Sequence, residues 1–261
     1  MAPSSFVFVL AGLRMIGGMC EQFVARAREP FRLAELWPLA DRLERFGLAG
    51  FGWGAAWLGD DGGLSAHRDV RAFRDDPDRD VLGEIETTAL LVHLRRPSRL
   101  STIDLPDTQP FEDPAGRFAF SHNGDLRDYQ APRARYRREG RIHGRADSEV
   151  GQRWLEDAWS DDLPVGQVLG ALHDAFGGEA NLAVLTAGGT PAHYAGNPQN
   201  PVFTFRLGAI GVAATAIYSL DRSVFRYVAP GATNRSMVRL HATVALDASG
   251  RPTEAEPPGG P

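Results

Sequence analysis

Met19-Cys20-Glu21-Gln22-Phe23-Val24-Ala25 places the only cysteine of the chain directly before a predicted strand. If translation starts at Met19, removal of that methionine leaves Cys20 as the first residue, with a thiol and a free α-amine together. An α-amine of pKa about 7.7–8.0 can accept a proton from a thiol of pKa about 8.5 near neutral pH. The alternative is that Cys20 is a small buried hydrophobic residue, as lone cysteines commonly are.

The segment before Cys20 is predicted to lie outside the working fold. Residues 5–13 form a short apolar run, but no basic residue precedes it and no small-residue cleavage site follows it. Gly17-Gly18 then interrupts regular structure. We interpret residues 1–19 as a removable leader or a misassigned start. The alternative is an additional strand, because short apolar runs discriminate poorly between structures.

The composition is that of an ordinary globular protein. The chain has 261 residues, of which 43% are hydrophobic and 23% are charged, and its net charge of -5 argues against nucleic acid as the main partner. A single cysteine cannot form an internal disulfide, which favours a reducing cytoplasm. No apolar run reaches the length of a membrane span. We expect one domain over residues 20–247 and a disordered, Pro/Gly-rich tail over residues 248–261.

Apolar patterning and turn residues predict strands, then helices, then strands. Strands are predicted over residues 20–27, 52–58, 64–68, 87–94, 118–122, 181–185, 202–205, 210–214, 225–228 and 237–246. Helices are predicted over residues 36–46, 78–85, 148–159 and 165–176, and a loop over residues 96–111. This order suggests two sheets with helices packed outside them.

Several common motifs do not fit the chain. Gly50-Phe51-Gly52-Trp53-Gly54-Ala55 has the glycine spacing of a dinucleotide-binding motif, but a strand and a hairpin turn follow it instead of a helix. The histidines lack the spacing of metal ligands, so we predict no metal and no cofactor. The basic run over residues 133–138 is predicted to be a solvated loop, with recognition of an acidic group on a substrate or partner as the alternative.

A set of short motifs remains, each near the end of a predicted element. They are His93-Leu94-Arg95, Gln109-Pro110-Phe111, Ser121-His122-Asn123-Gly124-Asp125 and Gly144-Arg145-Ala146-Asp147-Ser148-Glu149. Together with Met19-Cys20 they resemble the class II glutamine amidotransferase domain, a branch of the N-terminal-nucleophile (Ntn) hydrolases. The similarity covers roughly residues 19–231. Within the family, the chain most resembles the short, stand-alone members, which include the γ-glutamyl hydrolase of ergothioneine biosynthesis.

The resemblance implies an α+β fold, a four-layer αββα sandwich of two mostly antiparallel sheets flanked by helices. It also implies an oxyanion site, because the family uses an Asn side chain and the neighbouring Gly backbone amide to stabilise the tetrahedral intermediate. The matching residues here are Asn123 and Gly124. In isolation, an Asn-Gly pair would be interpreted as an ordinary tight turn.

The resemblance also implies how the glutamyl group is held. Arg95 would bind the α-carboxylate with its two-pronged guanidinium, and Asp147 would bind the α-ammonium. Ser98 is predicted to contact the substrate as well, and Trp53, in a Gly-Trp-Gly strand, is expected to pack beside the nucleophile. The alternatives are a surface arginine, a helix N-cap for Asp147 and a core tryptophan.

The implied reaction is hydrolysis of a γ-glutamyl amide through a γ-glutamyl thioester on Cys20. The expected partner is a small-molecule γ-glutamyl substrate, and a separate ammonia-accepting synthase subunit is one alternative to independent hydrolysis. Two other classes stay open: a non-catalytic γ-glutamyl-binding or regulatory module, and a papain-like hydrolase that uses His93 or His122. Phe51 and Gln109 stand where the family usually has Asp and His. These differences affect the residues around the catalytic groups more than the catalytic groups themselves.

Overall fold

The computed structural model describes residues 20–215 and 222–255, so the predicted leader over residues 1–19 lies outside the described residues. The strands are β1 (Glu21–Arg32), β2 (Trp53–Leu58), β3 (Leu64–Asp69), β4 (Glu86–Leu94), β5 (Phe111–Glu112), β6 (Phe118–Gly124), β7 (Ala180–Thr186), β8 (Pro191–Tyr194), β9 (Val202–Leu207), β10 (Ile210–Thr215), β11 (Thr233–Met237), β12 (Thr243–Leu246) and β13 (Pro252–Ala255). The helices are α1 (Trp37–Gly47), α2 (Asp78–Gly83), α3 (Gln130–Arg138), α4 (Asp147–Ala158), α5 (Val165–Phe176) and α6 (Arg222–Val228).

A seven-stranded sheet has the order β11-β9-β10-β1-β4-β2-β3, with β1 in the middle and every pairing antiparallel. The sequence of β4 is almost continuously apolar because both of its faces are buried. Leu90 and Val92 face the core beneath the helix α1, whereas Leu91 faces the second sheet. Burial on both faces removes the polar alternation that a half-exposed strand would show.

A six-stranded antiparallel sheet, in the order β13-β12-β8-β7-β6-β5, packs against the first. Small and branched residues such as Val24, Ala119 and Ala183 fill the layer between the two sheets. Outside the second sheet, Leu155 of α4 and Leu172 of α5 join its aromatic core. The molecule is therefore a four-layer αββα sandwich, and the predicted fold class is confirmed.

The ends of three strands meet at one edge of this sandwich. β1 begins at Glu21, which pairs with Leu94 at the end of β4. The end of β6, on the second sheet, is Gly124. Residues that directly precede β1, follow β4 or end β6 are thereby brought together, and these are the positions of the predicted site.

Two predictions for the C-terminal third are wrong. Residues 225–228 lie in the helix α6, where Phe225 and Val228 are buried and Tyr227 is exposed, which is the spacing of one helix face. The single strand predicted over residues 237–246 is two strands, because the chain leaves the first sheet after β11 and joins the second at β12. His241 has a positive φ of 63° within that crossing.

Three further elements, β13, α3 and β8, differ from the sequence-based prediction. The tail predicted to be disordered from residue 248 contains the edge strand β13, whose backbone pairs with β12 although Thr253 and Glu254 are exposed. The basic run is part of the helix α3 rather than a loop, in keeping with the high helix propensity of arginine, and it buries Tyr136. The strand β8 was not predicted. The loop predicted over residues 96–111 contains two short 3₁₀ turns and the first residue of β5.

None of the helices in the two described ranges is long and apolar enough to cross a membrane.

Candidate active site

Cys20 lies directly before β1 and lines a cavity of about 320 Å³. Its Sγ accepts a hydrogen bond from the backbone N–H of Arg96 over 3.3 Å and lies 3.6 Å from the Arg96 carbonyl oxygen. Burial raises the pKa of the Cys20 thiol to about 11, against the opposing effects of the Arg96 hydrogen bond and the positive charge of Arg95. The thiol is therefore neutral at pH 7 in this arrangement, and its use as a nucleophile requires a base.

Asn123 contacts Cys20 from the second sheet. Its Nδ2 donates to the main-chain carbonyl oxygen of Cys20 over 2.6 Å, and Nδ2 of Asn200 donates to the same oxygen over 3.4 Å. An amide nitrogen carries two hydrogens, so one N–H of Asn123 remains available after this bond. Asn123 is fully buried and lies beneath Cys20 rather than among the residues that line the cavity.

Gly124, the residue after Asn123, lines the cavity and is the last residue of β6. Its φ is +132°, a conformation that residues with a side chain rarely adopt. A Cβ at this position would lie 1.9 Å from the carbonyl oxygen of Glu179. Glycine is thus required here, and the backbone can turn from β6 into the cavity.

Arg95 follows β4 and is 3% exposed. Its backbone N–H donates to Gly52, and its carbonyl oxygen accepts from Gly50 and Phe51, so the loop before β2 is fixed to it. The Nη1 atom is buried without a hydrogen-bond partner among the described residues. Burial lowers the pKa of Arg95, and the nearby carboxylates of Asp107 and Asp104 partly offset this effect. A buried guanidinium without an anion is poorly satisfied, which suits it to bind a carboxylate.

Asp147 is the first residue of α4 and also lines the cavity. Its Oδ2 accepts a hydrogen bond from the backbone N–H of Leu126 over 2.8 Å, which links the segment after β6 to the helix. The N-cap residue of α4 is Ala146. Asp147 therefore does not cap the helix, which was the alternative role considered from the sequence. Ser98 is exposed and lies on the wall of the same cavity.

A comparison with protein families matches residues 27–188 to the model for glutamine amidotransferases class-II. This chain belongs to that family. The match spans more than half of the chain, and its Ntn-hydrolase fold agrees with the four layers described above. A comparison with curated proteins gives no significant match.

Solved structures of amidotransferases have the same fold. The B. subtilis glutamine phosphoribosylpyrophosphate amidotransferase, complexed with ADP and GMP, is 17% identical with a TM-score of 0.67. It is matched over 90% of this chain and 49% of its own. A structure described as the allosteric regulatory enzyme of purine biosynthesis is 18% identical with a TM-score of 0.69, over 90% of this chain and 48% of that one. This class II domain thus spans about half the length of both.

A third structure agrees with this domain in length. The glutamine aminotransferase class-II domain protein from Silicibacter pomeroyi is 18% identical with a TM-score of 0.58. The match covers 90% of this chain and 98% of that one. At 17–18% sequence identity, these three structural similarities establish the fold of this chain and no more.

Asp107 is a cavity residue of this class II domain that the sequence analysis missed. It is fully buried, and its Oδ1 accepts hydrogen bonds of 2.7 Å from the backbone N–H groups of both Arg145 and Ala146. Its Oδ2 has no partner among the described residues, and burial raises its pKa. A Cβ on Gly144 would lie 2.2 Å from Oδ1, so this close approach requires glycine there. Asp107 therefore fixes the segment that carries Asp147.

Arg133 fixes the same segment from the other side. Its Nη1 donates to the Ala146 carbonyl oxygen over 3.0 Å, and its Nη2 donates to that of Gly144 over 2.6 Å. The basic run predicted to be a solvated loop thus supplies one structural arginine to the site. No sequence signal distinguished Arg133 from its exposed neighbours.

Gln109, which replaces the histidine usual in the family, links β6 to α4. Its Oε1 accepts from the backbone N–H of His122 over 2.6 Å, and its Nε2 donates to the His122 carbonyl oxygen and to Oγ of Ser148. Both oxygen and nitrogen of the amide are used, so glutamine forms a two-way bridge. The departure from the family pattern is accommodated within the site.

The two histidines considered as bases occupy different surroundings. His93 is fully buried away from the cavity wall, and neither ring nitrogen has a hydrogen-bond partner among the described residues. Burial, with the charges of Arg95 and His122, lowers the pKa of His93 to about 3. His122 lines the cavity, but its Nδ1 is 3.2 Å from Oγ of Ser148. Within the described ranges, neither ring hydrogen-bonds to the Cys20 thiol.

Trp53 lies outside the cavity, in contrast to the predicted packing beside the nucleophile. Its Nε1 donates to Asp76 over 2.9 Å, and its ring packs edge-on against Trp37 and Phe73. The strand β2 directs this side chain to the core beneath α1, on the face opposite the second sheet. The structure therefore places Trp53 with the core residues and not with Cys20.

One cluster has the composition of a metal site: His67, Asp69 and Asp76 offer ligand atoms within 4.8 Å of one another. Arg71 already binds both carboxylates, and His67 Nε2 lies 2.8 Å from Asp76. Trp53 also donates to Asp76. The cluster is an ion-pair network in which a guanidinium occupies the position that a cation would take.

Proposed function

We propose that the chain hydrolyses a γ-glutamyl amide, either glutamine or a γ-glutamyl conjugate, with Cys20 as an N-terminal nucleophile. The observation that carries this proposal is the cavity that places the Cys20 thiol beside an unpaired, buried Arg95 and the carboxylate of Asp147. A glutamyl head group carries one carboxylate and one ammonium next to its reactive amide chain. The family assignment supports glutamine-amide hydrolysis in general.

The thiol needs a base, and its hydrogen-bond partners within the described ranges are backbone atoms of Arg96. An α-amine on Cys20 would supply that base after residues 1–19 are removed, directly or through a water molecule. The amine takes the thiol proton as Sγ attacks the amide carbon. The proton then passes to the departing amine when the tetrahedral intermediate collapses, which leaves a γ-glutamyl thioester. Water attacks the thioester, one of its protons passes to the sulfur through the α-amine, and glutamate is released.

The negative charge of each tetrahedral intermediate requires hydrogen-bond donors at a fixed position. We assign this role to the second N–H of Asn123 and the backbone amide of Gly124. Arg95 and Asp147 hold the carboxylate and ammonium of the glutamyl group, and Ser98 contributes from the rim. The working domain would run from Cys20 through the strand β13, in a reducing cytoplasm and without a cofactor. An ammonia-accepting synthase subunit is a further proposed partner if glutamine is the substrate.

The test is glutamate release from glutamine and from several γ-glutamyl amides by protein that begins at Cys20. We expect turnover of at least one compound and none by the Cys20→Ala variant, with unchanged folding by circular dichroism. Binding of γ-glutamyl compounds without turnover by either protein would instead support the non-catalytic module, the alternative left open by Phe51 in place of the Asp usual in the family.

A further inference from the structure

Four arginines line the cavity beside Cys20: Arg95, Arg96, Arg99 and Arg145. None of the four has a carboxylate oxygen within the 4.0 Å of an ion pair among residues 20–215 and 222–255. Other arginines of this chain do form such pairs, for example Arg117 with Asp113 at 2.6 Å and Arg74 with Glu44 at 2.9 Å. The four guanidinium groups therefore line the cavity without a direct ion pair to a described carboxylate.

The glutamyl group accounts for only one of these arginines. Arg95 is the most deeply buried and is assigned to the α-carboxylate. Arg96 is directed away, because its Nη1 donates to the carbonyl oxygen of Gly47 at the end of α1. Arg99 and Arg145 are both exposed residues of the cavity rim, and neither is assigned to the glutamyl head group.

Arg99 and Arg145 lie on the same part of the rim. Nη1 of Arg145 donates to the carbonyl oxygen of Ser101 over 3.3 Å, so its side chain lies against the turn that begins at Arg99. That turn is closed by Thr102, whose N–H and Oγ1 both donate to the Arg99 carbonyl oxygen. The backbone of Arg145 is fixed by Asp107. Two guanidinium groups are thus presented from backbone that is held in place.

The carboxylates of the cavity do not cancel this charge. Asp147 is assigned to the substrate ammonium. Asp107 accepts hydrogen bonds from backbone N–H groups at Oδ1, and its charge acts on the buried Arg95. Asp125 is exposed and stands beside Gly124. Guanidinium groups bind carboxylates and sulfonates with paired, charge-assisted hydrogen bonds. Ammonia, the leaving group of glutamine, has no anionic group that could use them.

We propose, on the basis of the hydrolase function above, that the amine half of the preferred substrate carries an acidic group bound by Arg99 and Arg145. The substrate class is then a γ-glutamyl conjugate of an acidic amine, such as an amino acid, rather than free glutamine. Arg99 and Arg145 determine this specificity by contact with the leaving group.

The experiment compares kcat/KM for four compounds: γ-glutamylglycine with a carboxylate, γ-glutamyltaurine with a sulfonate, and the neutral γ-glutamylethylamide and glutamine. We expect at least one acidic conjugate to exceed the ethylamide by about tenfold or more, as for a charge-assisted contact. Arg99→Gln and Arg145→Gln should each reduce that preference about tenfold. Arg138→Gln, an exposed arginine of α3 outside the cavity, is the matched control and should keep the preference.

The two acidic compounds distinguish a carboxylate from a sulfonate as the preferred group. Equal kcat/KM for both acidic conjugates and the ethylamide in the wild-type protein would overturn this inference while leaving γ-glutamyl hydrolysis intact. A preference that survives both Gln substitutions would equally overturn the assignment to Arg99 and Arg145. Failure to hydrolyse any of the four compounds would contradict the proposed function itself.

Discussion

The side-chain amide of Asn123 donates a hydrogen bond of 2.6 Å to the main-chain carbonyl oxygen of Cys20. Cys20 directly precedes β1 of the first sheet, Asn123 lies in β6 of the second, and the two residues are 103 positions apart in sequence. This bond holds the proposed nucleophile next to the proposed oxyanion donor. Packing of one sheet on the other therefore determines the distance between the two catalytic groups.

Asn123→Ala should lower kcat and leave KM nearly unchanged. The donor strengthens its bond only as the oxyanion forms, and loss of one such donor typically costs about 10²–10³ in kcat. Steady-state kinetics on a γ-glutamyl amide measures both parameters, with circular dichroism as the control for folding. A variant with the kcat of the wild type would remove Asn123 from the catalytic residues.

Arg95→Lys should raise KM with a smaller effect on kcat. The contact with the α-carboxylate exists before and during reaction, and a lysine replaces a planar two-pronged donor by a point charge. Loss of one charge-assisted hydrogen bond of roughly 1.5–3 kcal/mol corresponds to a rise in KM of about 10- to 100-fold. The same kinetics on Arg138→Lys, outside the cavity, controls for general effects of the exchange. Unaltered KM for Arg95→Lys would show that another group binds the carboxylate.

Asp107→Ala should raise KM and lower the melting temperature. The alanine leaves the N–H groups of Arg145 and Ala146 without their acceptor, and an unsatisfied buried group costs about 1–3 kcal/mol. Asp147, which directly follows Ala146, would then be held less firmly. Asp107→Asn keeps one carbonyl oxygen as an acceptor and should have the milder effect in both measurements. If the alanine variant binds substrate and melts as the wild type does, Asp107 has no positioning role.

The stability of the fold should decrease as pH falls from 6.5 toward 3. Burial lowers the pKa of His93 from 6.5 to about 3 and that of His193 to about 4, so both remain neutral in the folded protein. Below pH 6.5 the unfolded chain binds protons that the folded chain does not, and stability present at higher pH is lost. Urea unfolding at several pH values measures this dependence. His93→Leu should flatten it, and an unchanged slope would contradict the contribution of His93.

The site residues that could be predicted from sequence stand at the ends of strands. Cys20, Arg95 and Gly124 each border an apolar strand, and the chain itself therefore indicates that they can meet at one edge. Asp107 could not be found in this way, because its partners are 38 and 39 residues away in an irregular segment. Its role depends on how the loop before β5 packs against the start of α4.

Trp53 illustrates a different limit. Its glycine neighbours suggested a functional position, but the face of β2 on which the ring lies decides its role. That face depends on the packing of Trp37 and Phe73, from a helix and a 3₁₀ turn, around the same core. Similarly, β13 is held by backbone pairing with β12, for which its exposed polar side chains give no signal.

Covalent labelling by a glutamine-analogue electrophile tests directly whether Cys20 is a nucleophile whose own α-amine serves as the base. Two forms of the protein are compared, one that begins at Cys20 and one that retains residues 1–19, by intact mass and peptide mapping after equal exposure at neutral pH. We predict rapid labelling at Cys20 of the form with a free α-amine. The longer form should be labelled much more slowly, because its thiol pKa of about 11 leaves little thiolate and no amine can act as base. Equal labelling and turnover by a form that stably retains residues 1–19, or a label on any residue other than Cys20, would contradict the account.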